Sequence, residues 1–123
     1  MGTGAHYQRG EWLISHVYAE LGAPMAALHH AQRCQALTEK HRDLLEDFDR
    51  AYALEVLARA NAIAGNREEA LRYREQAEKA GEAIADEESR KYFQGDLAGG
   101  TGGAWHSPNV FLSSCLTFLA QNT

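Results

Sequence analysis

Apolar residues recur at intervals of three and four along most of this 123-residue chain, the spacing that places them on one face of an α-helix. No segment sustains the alternation of apolar and polar residues typical of a strand, and only two prolines interrupt the chain. Alanine, leucine, glutamate and arginine dominate residues 8–98, which favours helices. The pattern predicts an all-α protein. The predicted helices span residues 8–21, 24–40, 50–64 and 67–84, with a short fifth helix that reaches Leu97.

The ends of these helices are marked by glycine and by capping residues. Gly22 and Gly65 are expected to end the first and third helices, because glycine is the common residue just after a helix. Asn66, followed three residues later by Glu69, resembles a capping box for the fourth helix. The other expected caps are acidic: Asp47 or Asp49 before the third helix, and Asp86 before the fifth.

Two of the predicted helices carry apolar residues that we expect to be buried. In the first helix these are Trp12, Ile14, Val17, Tyr18 and Leu21. In the fourth helix they form a narrow face of mostly small residues, made of Ala70, Leu71, Ala77 and Ala80.

The composition changes at both ends of the chain. Residues 1–7 are expected to form a flexible N-terminus, and residues 98–107 a glycine-rich linker. Residues 108–123 are then predicted to form an apolar C-terminal helix, with Val110, Leu116 and Phe118 among its large side chains. So much contiguous apolar surface is expected to dock on its own domain or on another copy of the chain.

The helical part of the chain, residues 8–97, contains an internal repeat. A shift of 43 residues places small residues on small residues and the first turn on the second: Ala19 on Ala62, Gly22 on Gly65, Ala27 on Ala70, Leu28 on Leu71 and Cys34 on Ala77. Because these residues recur at the spacing of close helix packing, we interpret the segment as two helix–turn–helix hairpins.

The repeated Gly, Ala and small residue resemble the tetratricopeptide repeat (TPR), and the chain is similar to short bacterial TPR-like proteins. Gly22, Ala27 and Cys34 fit that pattern in the first unit. The period of 43 residues departs from the 34 of the family, the closing proline is missing, and Trp12 lies one position later than the family's tryptophan. The resemblance implies two TPR-like hairpins that bind a ligand on a concave face formed by the first helix of each hairpin.

Mapped onto this sequence, the concave face implied by the resemblance is a peptide-binding site made of Arg9, Trp12, His16, Glu20, Tyr52, Glu55 and Arg59. Independently of the resemblance, the spacing places Trp12, His16 and Glu20 on one side of their helix, and Glu55, Arg59 and Ile63 on one side of theirs. Arginine with aromatic and acidic residues is a common mixture at binding sites, and it suits a partner with an acidic or carboxylate-bearing segment. Alternatively, Trp12 belongs to the core and Glu55–Arg59 is an ordinary surface ion pair.

A catalytic interpretation uses four of the same residues. His16 would act as a general base, Glu20 or Glu55 would orient it, and Arg59 would stabilise negative charge. No nucleophile motif or phosphate-binding loop accompanies them. The two cysteines, Cys34 and Cys115, are interpreted as structural. Whether the chain is an enzyme therefore stays open.

Charge and composition narrow the choice of partners. The net charge of −5 and the absence of a basic cluster argue against nucleic acid. The longest apolar stretch, residues 110–120, is too short to span a membrane, and the first residues lack the apolar core of a signal peptide. His29 and His30 are adjacent and diverge on a helix, so we expect no metal site, and no cofactor motif is found. A cytoplasmic location is expected.

These observations favour a protein- or peptide-binding adaptor or regulatory module. The alternatives are a small metal-independent hydrolase that uses His16, and a self-assembly module that uses the C-terminal helix. Two hairpins are fewer than repeat proteins normally need to bury a continuous core, so we also expect a homodimer.

Overall fold

The computed structural model describes residues 3–101, and the side chains of residues 3–98. This part of the chain is all-α and contains no strand. Its five helices are α1 (Gly4–Glu20), α2 (Pro24–Lys40), α3 (Asp47–Ile63), α4 (Arg67–Glu82) and α5 (Glu87–Thr101), with a single 3-10 turn at Arg42–Leu44. The predicted apolar helix 108–123, most of the predicted linker and Cys115 lie outside the described residues.

Helix boundaries agree with the predictions in the middle of the chain and differ at its ends. Helix α2 spans the predicted residues, whereas α1 begins at Gly4, inside the segment expected to be flexible. The reason is a cap: the Thr3 hydroxyl accepts a hydrogen bond from the His6 backbone N–H (3.3 Å), and His6 Nδ1 accepts one from the Thr3 N–H (3.3 Å). Helix α5 continues to Thr101, into the segment expected to be a linker.

The helices pack as two antiparallel pairs and one additional helix. Helix α1 packs against α2, and α3 against α4; α3 also contacts α1 and α2, and α5 packs on α3 and α4. Both pairs turn in the same way. Gly22 (φ 71°) and Gly65 (φ 84°) have left-handed backbones, and the following N–H groups of Ala23 and Asn66 donate to the carbonyls five residues earlier (2.9 Å each). The 43-residue repeat is thus reproduced by the hydrogen bonds of the turns.

The capping predictions have mixed outcomes. Asp86 caps α5 as predicted, since its carboxylate accepts a hydrogen bond from the Ser89 N–H at 2.8 Å. The capping box at Asn66 is wrong: the Asn66 side chain makes no cap bond and instead donates to the Asn61 side chain at 3.1 Å. Before α3, Glu46 occupies the N-cap position, and the Asp49 carboxylate accepts from its N–H at 3.0 Å.

Helix α3 lies at the centre of the molecule and is buried along most of its length, from Phe48 to Asn61. The buried apolar residues that pack around it come from the other four helices and from the connection between α4 and α5, and include Trp12, Ala27, Ala31, Cys34, Ala77, Ile84, Phe93 and Leu97. Within residues 3–101, no helix is long and apolar enough to cross a membrane.

The predicted buried face of α1 is largely wrong. Its buried residues are Gln8, Trp12, Ser15 and His16 together with Gly4, whereas Ile14, Val17 and Leu21 are exposed. The helix packs so closely on α2 that the Ser15 hydroxyl donates to the Ala27 carbonyl at 2.7 Å. Small and polar residues therefore share the inner face with Trp12. Leu71 of α4, also predicted to be buried, is exposed.

Candidate functional site

The residues predicted to form the peptide-binding face lie on α1 and α3, the first helices of the two pairs, but they do not form an open surface. Their side chains are buried or nearly so, and even Arg59 is only 2% exposed. The interpretation of Trp12 as a core residue is confirmed. The interpretation of Glu55–Arg59 as a surface ion pair is wrong, because both side chains are buried.

Four of these residues form a connected group, which we call the α1–α3 polar cluster: His16, Glu20, Glu55 and Arg59. His16 Nε2 lies 2.9 Å from Glu55 Oε1. Arg59 Nη1 donates to Glu20 Oε1 at 3.1 Å, and Arg59 Nε lies 3.6 Å from Glu55 Oε2. The structure therefore brings together all four residues that the catalytic interpretation named, with Arg59 between two carboxylates.

Helical spacing explains this arrangement. His16 and Glu20 are four residues apart on α1, and Glu55 and Arg59 are four apart on α3, so each pair lies on one side of its helix. Because α1 packs directly against α3, the two sides meet. Isolated ionised groups inside a protein are costly, and pairing with hydrogen bonding offsets that cost. Glu20 is the most accessible of the four, with 12% of its side chain exposed.

Burial sets the protonation state of His16. Desolvation lowers the pKa of the imidazole, and the nearby Arg59 charge lowers it further, although Glu55 and Glu20 oppose both effects. His16 is therefore neutral at pH 7. Since a carboxylate can only accept, the hydrogen bond to Glu55 requires the proton to be on Nε2. The side chain has no exposed surface.

An aromatic wall borders the polar cluster. The Trp12 ring packs edge-on against His16, with centroids 4.5 Å apart, and against Tyr52 at 5.3 Å. Tyr52 in turn packs edge-on against Phe93 of α5 at 4.9 Å. Among the described residues, no acceptor lies within hydrogen-bond distance of the buried indole N–H of Trp12.

Two residues that contact Tyr52 were missed by the sequence analysis. The Tyr52 hydroxyl donates to the Asp96 carboxylate at 2.5 Å, and Asp96, like Phe93, lies on α5. A buried tyrosine hydroxyl requires a partner, but nothing in the spacing of α3 indicates that α5 supplies it.

Arg9 is separate from the cluster. Its guanidinium makes two hydrogen bonds to Asp49, at 2.8 and 3.0 Å, and lies over the Phe48 ring. The hydrogen bonds to Asp49 raise the pKa of Arg9, although its partial burial acts in the opposite direction. Gln8 completes this group by donating to the Thr38 hydroxyl (3.0 Å) and to the Asp49 carbonyl (3.1 Å). Arg9 joins α1 to the start of α3.

A third polar group joins α1 to α2 and was also missed. Glu11 is hydrogen-bonded to His30 Nδ1 at 2.5 Å and to Arg33 Nε at 3.0 Å. Partial burial favours a higher pKa for Glu11, but the hydrogen bonds from His30 and Arg33 outweigh it and the pKa is lowered. With 14% of its side chain exposed, Glu11 resembles Glu20 in accessibility, but its partner Arg33 is 57% exposed whereas Arg59 is 2% exposed.

Metal and thiol chemistry find no support in the described part of the chain. No group of three or more histidine, cysteine, aspartate or glutamate residues there could hold a metal ion. Cys34 is a free, fully buried thiol, and burial raises its pKa, so it is protonated and unreactive. This agrees with the structural role predicted for it.

A comparison of the chain with protein-family models finds no match, and comparisons with curated proteins and with solved structures find none either. We therefore infer the function from the geometry of the α1–α3 polar cluster.

Proposed function

We propose that this chain is a protein- or peptide-binding adaptor, and that it takes a carboxylate of its partner at Arg59. The observation that carries the proposal is the Arg59–Glu20 hydrogen bond at the edge of the α1–α3 polar cluster. A guanidinium recognises a carboxylate by hydrogen bonds of this kind. A partner carboxylate that displaces Glu20 from Arg59 would leave the charge balance of the buried cluster unchanged.

Two further features support binding at this place. The buried indole N–H of Trp12, which has no described acceptor, is a second donor beside the cluster. The cluster also joins the first helices of the two pairs, where the resemblance to TPR proteins places the ligand. The matching glycine turns after α1 and α3 support a TPR-like arrangement of the hairpins. We propose a cytoplasmic location, in keeping with the reduced state of Cys34.

Binding to paired peptides tests this proposal. An array would present each sequence with a C-terminal carboxylate or carboxamide, and with internal Asp/Glu or Asn/Gln. The wild-type chain is expected to prefer the acids. Glu20→Gln is expected to strengthen that preference, because the substitution removes the competing charge next to Arg59 while keeping the shape of the side chain.

Glu11→Gln is the control for the loss of one glutamate beside an arginine, since Glu11 is about as accessible as Glu20 but pairs with the exposed Arg33 instead of the buried Arg59. It should leave the preference for acids unchanged. If wild type and Glu20→Gln both bind acids and amides equally, the carboxylate proposal is wrong.

A second candidate is the metal-independent hydrolase. It is favoured by the His16–Glu55 hydrogen bond, since a carboxylate commonly orients the imidazole of a general base. A general base must come within hydrogen-bond distance of its substrate, and His16 is 0% exposed. Glu20, which a partner would displace from Arg59, has 12% of its side chain exposed, so the adaptor is the proposal that we prefer. Ester or amide hydrolysis that disappears in His16→Gln would reverse this preference.

A further inference from the structure

The α1–α2 polar group, which we define as Glu11, His30 and Arg33, contains a partly accessible imidazole. His30 has 22% of its side chain exposed, whereas the imidazole of His16 is fully buried. The Nδ1 atom of His30 lies 2.5 Å from Glu11 Oε2, and the Tyr18 ring is stacked on the imidazole with centroids 5.5 Å apart. Because Glu11 and Tyr18 are seven residues apart on one side of α1, this helix holds the imidazole ring at two points.

The hydrogen bond to Glu11 determines which nitrogen of neutral His30 carries the proton. Glu11 is ionised at pH 7, since its pKa is lowered, and a carboxylate can only accept. The proton is therefore on Nδ1, and Nε2 keeps its lone pair. Among residues 3–98, no group is hydrogen-bonded to Nε2. A carboxylate on one imidazole nitrogen also makes the other more basic, so Nε2 is an oriented nucleophile.

Arg33 indicates the kind of group that suits this nucleophile. Its Nε donates to Glu11 Oε1 at 3.0 Å, next to the carboxylate oxygen that holds His30. His30 and Arg33 are three residues apart and lie on one side of α2. Since 57% of the Arg33 side chain is exposed, its remaining N–H groups can pair with the oxygens of a group bonded to His30. A guanidinium beside a nucleophile suits phosphoryl transfer, in which those oxygens are negatively charged.

We propose that His30 Nε2 accepts a phosphoryl group from a phosphoramidate, the class of compound to which phosphohistidine belongs. The Nε2 lone pair forms the new bond to phosphorus. The nitrogen–phosphorus bond of the donor breaks, and its electron pair leaves with the donor nitrogen. From phosphoramidate itself, protonated on nitrogen, the leaving group is ammonia, so no further proton is transferred. Because the bond formed is of the same type as the bond broken, the exchange requires no other energy source.

Glu11 and Arg33 have separate roles in this step. The phosphorylated ring keeps its proton on Nδ1 and becomes positively charged, and the Glu11 carboxylate stabilises that charge, as a carboxylate does for the imidazolium of a catalytic triad. Arg33 pairs with the phosphoryl oxygens. Glu11 is thus a positioning residue, and His30 is the residue that is modified.

Reaction of the full chain with phosphoramidate, followed by mass spectrometry that locates the phosphoryl group, tests the proposal. His30 is expected to react at least about tenfold faster than His29, which is more exposed but has no carboxylate partner among the described residues. His29→Gln is the matched control, and its His30 should react like that of wild type. A chain that is not phosphorylated, or that is phosphorylated at His29 as fast as at His30, overturns the proposal.

Glu11→Gln tests the role of the carboxylate. Glutamine keeps the size of the side chain but lacks its negative charge, so the phosphorylation of His30 should slow about tenfold or more. A Glu11→Gln protein in which His30 reacts as fast as in wild type contradicts the proposal.

Nitrogen NMR of the wild-type imidazole keeps the test decisive even if Glu11→Gln fails to fold. Before the reaction, neutral His30 is expected to carry its proton on Nδ1, and after the reaction the phosphoryl group should be on Nε2. These two positions report the orientation of the ring and not merely the stability of the helix pair. A proton on Nε2 of the neutral ring, or a phosphoryl group on Nδ1, overturns the proposal.

Discussion

His16 shows how a single residue links the site to the stability of the fold. Burial holds the pKa of its imidazole below the ordinary value of 6.5, while the unfolded chain takes up a proton near that value. The unfolded state therefore binds more protons as the pH falls below 6.5. The stabilisation that neutral His16 provides is complete above this pH and is lost progressively below it.

We predict that the free energy of unfolding falls between pH 7 and pH 5, with a contribution from His16 of up to about 1.4 kcal/mol per pH unit. Urea unfolding at several pH values measures it. His16→Gln is the control, since glutamine can donate to Glu55 but does not titrate. Parallel pH profiles for the two proteins would show that His16 is not held neutral by burial.

The turn glycines, Gly22 and Gly65, affect stability through their left-handed backbone conformation. Gly65 has a φ of 84°, which is strained for any residue with a Cβ. Gly65→Ala is expected to cost about 1–2 kcal/mol, and Gly65→Asn less, because asparagine tolerates this conformation. Thermal unfolding of the two variants compares them. An alanine variant as stable as wild type would contradict the left-handed turn between α3 and α4.

At the scale of the helices, the sequence predicts the elements better than their orientation. Helix α2 and the turns after α1 and α3 could be predicted, because proline and glycine restrict the backbone locally. The side chains on the inner face of α1 could not be predicted, because the helix has apolar residues on both sides. Close packing of α1 on α2 selects Ser15 for the inner side and leaves Ile14 outside. Spacing alone does not distinguish the two faces.

The contact between α4 and α5 is also set by a small residue. A Cβ on Gly81 would lie 2.5 Å from two ring atoms of Phe93, a buried residue of α5. We predict that Gly81→Ala destabilises the protein by about 1–3 kcal/mol through overpacking. Gly95→Ala in α5 meets nothing within 4 Å and is the control, expected to be neutral or stabilising. Equal unfolding midpoints for the two variants would mean that α5 does not pack on Gly81.

At the scale of the whole molecule, α3 organises the described residues. The two pairs of helices meet along it, α5 covers one side, and charged side chains from α1 reach it at two points. Those points are the α1–α3 polar cluster and the Arg9–Asp49 pair. Spacing within each helix places His16 with Glu20 and Glu55 with Arg59, and the resemblance to TPR proteins implies that the two pairs share a site. Their burial depends on how closely α1 and α3 pack, which no local pattern reveals.

In the proposed function, Arg59 exchanges Glu20 for a carboxylate of the partner. The most direct measurement is an NMR titration of the arginine Nε–H signals with N-acetylglycine, which carries the terminal carboxylate of a peptide, and with its amide. Arg59 is assigned by the loss of its signal in Arg59→Lys. The acid is expected to shift the Arg59 signal, more strongly in Glu20→Gln than in wild type, while the signal of Arg33 beside Glu11 stays in place. An Arg59 signal that is unmoved in both proteins, or that moves equally with acid and amide, would contradict this exchange.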